Sequence, residues 1–482
     1  MVLVLAIPPV SAVAAFAACR DRPMTAMLDS AAEEGGGRFS FVAVDPFRVI
    51  VAGAAGVMVD GVAVAGDPFA VLEDQLARFT LLNDEDSPVP FRTGAVGFLG
   101  YELGRHLERL PLPRPDRWGL PEMVVGLYDL IAAFDHQTGG AWIIASGFPE
   151  TDAAARASRA SRRAAWLRRR LAMVPALPAP PAFSAPPAPP RQGVVWVPDI
   201  SLHSYHERVE RIIAYIRAGD IFQANFTQGF TAPCPAGLDP FELYRRLRSL
   251  TPAPFAACLD CGGGLWLAGA SPERFLALDA AGRVETRPIK GTRPRGASPE
   301  ADTILLAELV ASGKDRAENL MITDLLRNDL GRVCQVGSIA VQSLIKPVSF
   351  ASVHHLVSLI EGRLRPSLGP VDLLRAAFPG GSITGAPKIR AMQIIAELEA
   401  GRRSPYCGAV VWIGFDRTMD SCITIRTLVV TGTVTGTANG RAVIAQAGGG
   451  ITAESCPELE YQELLVKVRP LLATLSPGCE IT

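Results

Sequence analysis

Lysine is what this chain has least of among its charged residues. The 482 residues carry five lysines against forty-two arginines. Arg stays protonated and forks onto carboxylates, whereas Lys can lose its proton when desolvated and act as nucleophile or base. A chain that writes nearly all its cations as Arg makes each remaining lysine a candidate for chemistry Arg cannot do. Net charge of one sign is also missing: the balance is −1, which gives no global pull towards nucleic acid or an anionic membrane. Long apolar runs are absent too. Met1 to Cys19 is apolar, but Pro8-Pro9 interrupt it short of the roughly 18 residues of a membrane span. No positive residue precedes that run, so a buried strand and short helix are preferred there to a secretory leader. The nine cysteines are scattered, and Cys258-x-x-Cys261 has no second pair at metal spacing. That argues against a zinc site and for reduced thiols in a cytoplasmic protein.

What is present is an ordinary globular balance, 49% apolar and 20% charged, with about three domains' worth of chain. Leu177 to Pro190 is proline-rich and reads as an extended, semi-rigid linker. The chain is therefore divided into an N-terminal part, 1–172, a linker, 173–198, and a C-terminal part, 199–475. Before the linker, 36–145 shows short apolar alternations broken by Gly and Pro, as in antiparallel sheet, and 152–172 is an Arg-rich helix with a solvated face. After it, Ser204-x-x-Glu207 reads as a capping box for a helix with the stripe Val209, Ile212, Ile213 and Ile216, ended by Gly219. Ile221 to Phe230 then alternates, with Gln223, Asn225 and Thr227 on one face of a strand that borders solvent or a wet cavity.

Several residues could carry chemistry. Lys290 follows an alternating stretch ending at Arg287-Pro-Ile, where a strand runs into a turn. Asp315 and Glu318 project from one helix face, and Glu460 and Glu463 repeat that spacing. Two such faces brought together would offer hard oxygen ligands to Mg2+. The second pair follows Ala447-Gly448-Gly449-Gly450, where backbone can approach a ligand closely. The turn from Phe378 through Ser382, Thr384 and Gly385 to Lys388 opens a helix whose amides suit a carboxylate or phosphate, although the Gly-Lys-Ser/Thr ending of a phosphate loop is missing. His355 could act as a general base. Ile423-Thr-Ile-Arg426-Thr reads as a strand presenting Arg426 to an anion. From single residues alone the reading is an Mg2+-assisted enzyme acting on a small anion.

Taken together, these segments resemble the chorismate-utilising enzymes. The matching runs are Arg217 to Asn225, Ser271-Pro-Glu273-Arg-Phe, the Lys290 run, Asp324 to Asp329, His355-Leu-Val-Ser358, the Ser382 to Lys388 turn, Ile425-Arg426-Thr427 and Ala447 to Glu463. They occur in family order across about 270 residues, and Leu28-Asp-Ser30, Gly97 to Glu102 and Leu120-Pro-Glu122 extend the likeness to the N-terminal part. The resemblance implies an α+β fold: a four-layer α/β/β/α sandwich of two large antiparallel sheets with helices outside. Two positions choose among the family's reactions. Anthranilate synthases carry Ala where Lys290 stands. Isochorismate and salicylate synthases place a water-activating Lys where this chain has Gln223. Gln223 with Lys290 is the pattern of the aminodeoxychorismate synthases, which convert chorismate and ammonia to 4-amino-4-deoxychorismate for p-aminobenzoate and folate synthesis.

The resemblance also implies roles. Glu273 would protonate the departing 4-hydroxyl, with a pKa raised by burial, and Lys290 would attack C2, with its own pKa depressed by desolvation and by Lys467 or Arg426. Ammonia would then add at C4 and release the lysine. Mg2+ would be held directly by Glu318 and Glu463 and through water by Asp315 and Glu460. Gln223, Thr292, Ser382, Thr384, Gly385, Tyr406, Arg426, Gly448, Gly449, Gly450 and Lys467 would bind substrate, with His355 beside the ring. No Gly-x-Cys-x-Gly nucleophile turn is present, so a separate glutamine amidotransferase subunit would supply ammonia. Leu28-Asp-Ser30 matches a run beside which related N-terminal domains bind tryptophan. The departures are Val411-Trp412, where a Gly-aromatic pair is usual, and a hairpin between Glu273 and Lys290 one residue longer than usual. The rival readings are an anthranilate synthase large component and a non-catalytic effector-binding or scaffolding subunit.

Overall fold

The computed structural model describes residues 2–32, 37–84, 86–174, 194–350, 353–432 and 440–476. The proline-rich run 177–190 lies outside them. The described residues form two antiparallel sheets of twelve strands each, with helices on the outer faces. The strand Leu130–Asp135 shows how the sequence builds this. Leu130, Ala132 and Phe134 pack into a core shared with helices, while Ile131 and Ala133 pack between the sheets. In the second sheet, Ala95 and Leu99 of Gly94–Leu99 face helices, and Val96 and Phe98 meet the first sheet. A strand covered on both faces needs apolar residues at every position, and each fully buried large side chain contributes roughly 1.5–3 kcal/mol. The three cores make four layers, α/β/β/α.

Both sheets are assembled from early and late strands. In the first sheet Ala26–Asp29 pairs with Phe255–Asp260, and in the second Gly94–Leu99 pairs with Ala409–Gly414. Neither sheet belongs to one half of the chain. The N-terminal strand and helix are Leu3–Ala6 and Ala12–Cys19, with Phe16 fully buried.

Two local expectations shift. The helix Leu202–Arg217 is capped by Ser201, whose hydroxyl accepts from Ser204 N–H at 3.2 Å, so it begins earlier than a Ser204 cap would place it. The Arg-rich helix Ala153–Ala172 buries Ala160, Ala164, Leu167 and Leu171, and its polar side is only partly solvated. Arg159 and Arg163 converge on the fully buried Asp129 at 2.9 and 3.1 Å. A carboxylate buried that deeply requires such pairing. No helix among the described residues is long and apolar enough to cross a membrane.

Candidate active site

A cavity of about 600 Å³ opens where the two sheets, the helix Gly313–Gly331 and the helix Pro457–Ala473 converge. One wall is the strand Gln223–Pro233 of the first sheet. Its Ala224, Phe226 and Phe230 belong to the helix-side core, which turns Gln223, Asn225 and Thr227 to the opposite face. That face borders the cavity through Asn225. Across the ladder, Gly450 lies opposite Asn225 and Gly448 opposite Thr227. A Cβ on Gly450 would stand 2.2 Å from Gln223 Nε2 and 3.0 Å from Glu318 Oε2. Glycine there keeps backbone at the cavity surface. Gly449 points the other way, towards Glu460, Glu463 and Lys467.

The facing wall comes from the second sheet. Lys290 lies on Ile289–Pro294, whose pairing register shifts between Lys290 and Thr292, with Gly291 at φ +81°. The bulge re-aims the side chains at this edge, so that both Lys290 and Thr292 line the cavity. Lys290 Nζ donates to the carbonyl of Ser382 at 2.9 Å. Glu273, immediately before Arg274–Leu278, is 5% exposed. Burial raises its carboxyl from the usual 4.5 to about 7, opposed by the Ser382 hydroxyl and the Lys290 charge. A carboxyl in that range can hold a proton at neutral pH and give it up in a reaction. His355 Nδ1 lies 2.9 Å from Thr292 Oγ1 and 3.2 Å from the Gly291 carbonyl. Burial lowers its pKa to about 4. The ring is neutral at pH 7, and because a carbonyl only accepts, its proton sits on Nδ1 and leaves Nε2 an acceptor.

Arg426 does not sit within a strand. Met419–Ile423 belongs to the second sheet and Thr427–Val430 to the first, and Arg426 stands at the crossover with φ +52°. It lines the cavity near Tyr406 and forms no ion pair among the described residues. A half-buried guanidinium without a carboxylate suits an anionic ligand.

The two acidic helix faces do meet. Lys314 Nζ bonds Glu460 Oε1 at 2.6 Å, and Lys467 Nζ bonds Glu463 Oε1 at 2.6 Å and the Gly448 carbonyl at 3.0 Å. The Lys467 charge draws the Glu463 pKa down to about 2, whereas burial raises that of Glu318. Among the described residues no three acidic, His or Cys side chains are clustered closely enough to hold a metal by themselves. Mg2+ does not require that, since it keeps several waters and uses one or two carboxylates. Glu460 Oε2 is buried without a partner, and the space above Gly449 is flanked by Glu460, Glu463 and the Lys467 ammonium. The donor set and that unsatisfied oxygen fit a hydrated divalent cation.

Residues 30–473 match the chorismate binding enzyme family. The chain belongs to that family. It is 40% identical over 465 residues to aminodeoxychorismate synthase component 1 of Klebsiella aerogenes, covering 95% of each chain. It is 38% identical over 452 residues to anthranilate synthase component 1 of Thermus thermophilus, covering 93% of this chain and 92% of the relative. Anthranilate synthase component I of Streptococcus pneumoniae superposes with a TM-score of 0.76 at 31% identity, covering 91% of this chain and 92% of that one.

In this chorismate binding enzyme the cavity gathers Glu273, Lys290, Thr292, Asp315, Glu318, His355, Ser382, Tyr406, Arg426, Gly448, Gly450, Glu463 and Lys467. Four expected residues stand behind the wall. Thr384 donates its hydroxyl to the Gly380 carbonyl and accepts Asn225 N–H on its own carbonyl, while Gly385 pairs with Ala224. Gln223 is 1% exposed, with Nε2 3.4 Å from Glu318 Oε2, and Gly449 faces the helix. Glu460 reaches the site through Lys314. Lining residues without a role in the sequence reading include Asn225 and Lys314. Asn225 shares a strand face with Gln223, and Lys314 is one of only five lysines, so both signals were available. Trp412 stacks on Phe91 at 4.8 Å and, with Val411, lines a second cavity of about 560 Å³ that also holds Leu28, Asp29 and Ser30. The Val411-Trp412 departure therefore lies away from the Lys290 cavity.

Proposed function

We propose that this chorismate binding enzyme is the large subunit of an aminodeoxychorismate synthase. The observation that carries the reading is Lys290 beside Glu273 in one cavity, with a glutamine, Gln223, behind its wall. Relatives named aminodeoxychorismate synthase component 1 support it. Chorismate would enter with its carboxylates towards Arg426, Lys467 and the backbone of Gly448 and Gly450. Glu273, held protonated by burial, gives its proton to the 4-hydroxyl as that group leaves. The Lys290 side-chain nitrogen forms the bond to C2 while the ring double bonds shift. Ammonia then bonds at C4 with the reverse shift, and the Lys290–C2 bond breaks. Mg2+, held by Glu318 and Glu463 with Asp315 and Glu460 acting through water, would neutralise the ring carboxylate. His355, neutral, keeps an acceptor near the ring. A glutamine amidotransferase subunit supplies the ammonia, and the cavity at Leu28, Asp29 and Ser30 is large enough for an amino acid such as tryptophan.

Anthranilate synthase is the second reading, favoured by relatives of that name at similar identity. Mass spectrometry after incubation with chorismate, Mg2+ and ammonium separates the two. The expected product is 4-amino-4-deoxychorismate with the enolpyruvyl group retained. Anthranilate with released pyruvate, and no amino-deoxychorismate, would sink the proposal.

A further inference from the structure

Arg403 stands behind the cavity, outside its lining, and is 1% exposed. A guanidinium is tolerated there only if its charge is paired and its donors are used. Nε and Nη2 fork onto Glu399 at 2.9 and 2.7 Å. Nη1 donates to the Ile383 carbonyl and Nη2 to the Asn225 carbonyl, each at 2.6 Å. Glu399 also accepts the N–H and hydroxyl of Thr227 at 3.0 and 2.7 Å. The main chain is held as firmly. Glu102, which follows the early strand Gly94–Leu99, accepts the N–H groups of Arg403 and Ser404 at 3.0 and 2.9 Å.

The partners of that fork sit at the cavity. Asn225 lines it from the first sheet. Ile383 follows Ser382, whose carbonyl takes Lys290 Nζ. Tyr406, three residues beyond Arg403, lines it beside Arg426. One side chain thus bonds a strand and a turn and leads the loop of a third wall. Stability alone does not call for it, because a buried ion pair can often be replaced by apolar residues without loss. We infer that Arg403, seated by Glu102, is a positioning residue that holds Asn225, Ser382 and Tyr406 in the geometry the reaction uses. The inference rests on the proposed function only in taking this cavity as the place where chorismate reacts.

The test is chorismate consumption by the full-length protein with Mg2+ and ammonium, which registers turnover whichever amine product forms. In folded Arg403→Ala, kcat should fall at least about tenfold, one step of 1.4 kcal/mol, with a smaller change in KM for chorismate. Guanidinium ion below denaturing concentration should restore part of that loss, and urea at equal concentration should not. Arg403→Lys keeps the charge but cannot serve a carboxylate and two carbonyls together, so it should remain below wild type. Should Arg403→Ala not fold, Glu102→Gln keeps the size and gives up one acceptor. It should lower kcat several-fold with the melting temperature held. Turnover within twofold of wild type in either folded variant, or a loss indifferent to guanidinium, overturns the inference. Wild-type protein that consumes no chorismate overturns the proposed function, and this inference with it.

Discussion

The five lysines divide by what surrounds them. Lys290, Lys314 and Lys467 line the cavity, Lys388 bonds Asp329 at 2.5 Å and the Ala377 carbonyl beneath the Ser382 turn, and Lys346 lies on the edge strand Ala340–Ser349. Scarcity therefore marks a neighbourhood, and only geometry separates a reacting group from a buttress. Glu273 provides the sharper check. Its carboxyl, raised to about 7 by burial, is mostly protonated below that pH and loses its proton above it. If the protonated form is the acid, kcat should hold below about pH 7 and fall towards tenfold per unit above it. Glu273→Gln, which cannot give up a proton, should lose about 100-fold or more in rate and lose that limb as well. A limb that survives the substitution would assign it to another group. Lys290→Ala should greatly slow amine incorporation, read by mass spectrometry of the quenched reaction, and unchanged turnover would take Lys290 out of the chemistry. Motif order in the sequence was enough to bring most of these residues together. It could not say that Thr384 and Gly385 spend their polar groups on the neighbouring strand, because that depends on which backbone passes behind the turn.

At the scale of elements, the legible pieces were those with one face in water. Of the stripe Val209, Ile212, Ile213 and Ile216, the first three are buried and Ile216 is half-buried. Strands such as Met123–Tyr128 are buried at every position, so their apolar letters show no alternation to read. Arg426 misled for a different reason. Its flanks are strands, but they belong to different sheets, and the crossover puts a non-glycine residue at φ +52°. No local pattern announces a change of sheet. The shifted cap can be tested directly. Ser201 is the residue whose hydroxyl receives a helix N–H, so Ser201→Ala should cost about 1 kcal/mol in denaturant unfolding, whereas Ser204→Ala should cost a few tenths at most. Equal costs would restore Ser204 as the cap.

For the whole molecule, the decisive fact is that early and late strands share both sheets. The register Ala256↔Asp29 through Leu259↔Ala26 joins them in the first sheet, and Ala409↔Leu99 through Gly414↔Gly94 joins them in the second. The core between the sheets draws Phe41, Phe91 and Phe98 from the early half and Val410, Trp412 and Cys422 from the late half. Unfolding either half alone would strip residues from both faces of that core and leave one edge unpaired in each sheet, a state penalised by lost apolar burial and by exposed ladder groups. The active cavity depends on the same continuity, since Glu102 of the early half holds the loop that carries Arg403 and Tyr406. The expected behaviour is one cooperative transition, with far-ultraviolet circular dichroism and tryptophan fluorescence giving the same midpoint. Trp118, Trp142 and Trp166 report on the early half, and Trp266 and Trp412 on the late half, so fluorescence samples both. Coincident midpoints are the test of a single folding unit. Two separated transitions would mean that the halves hold together independently, and the cavity between them would then be the first structure lost on heating.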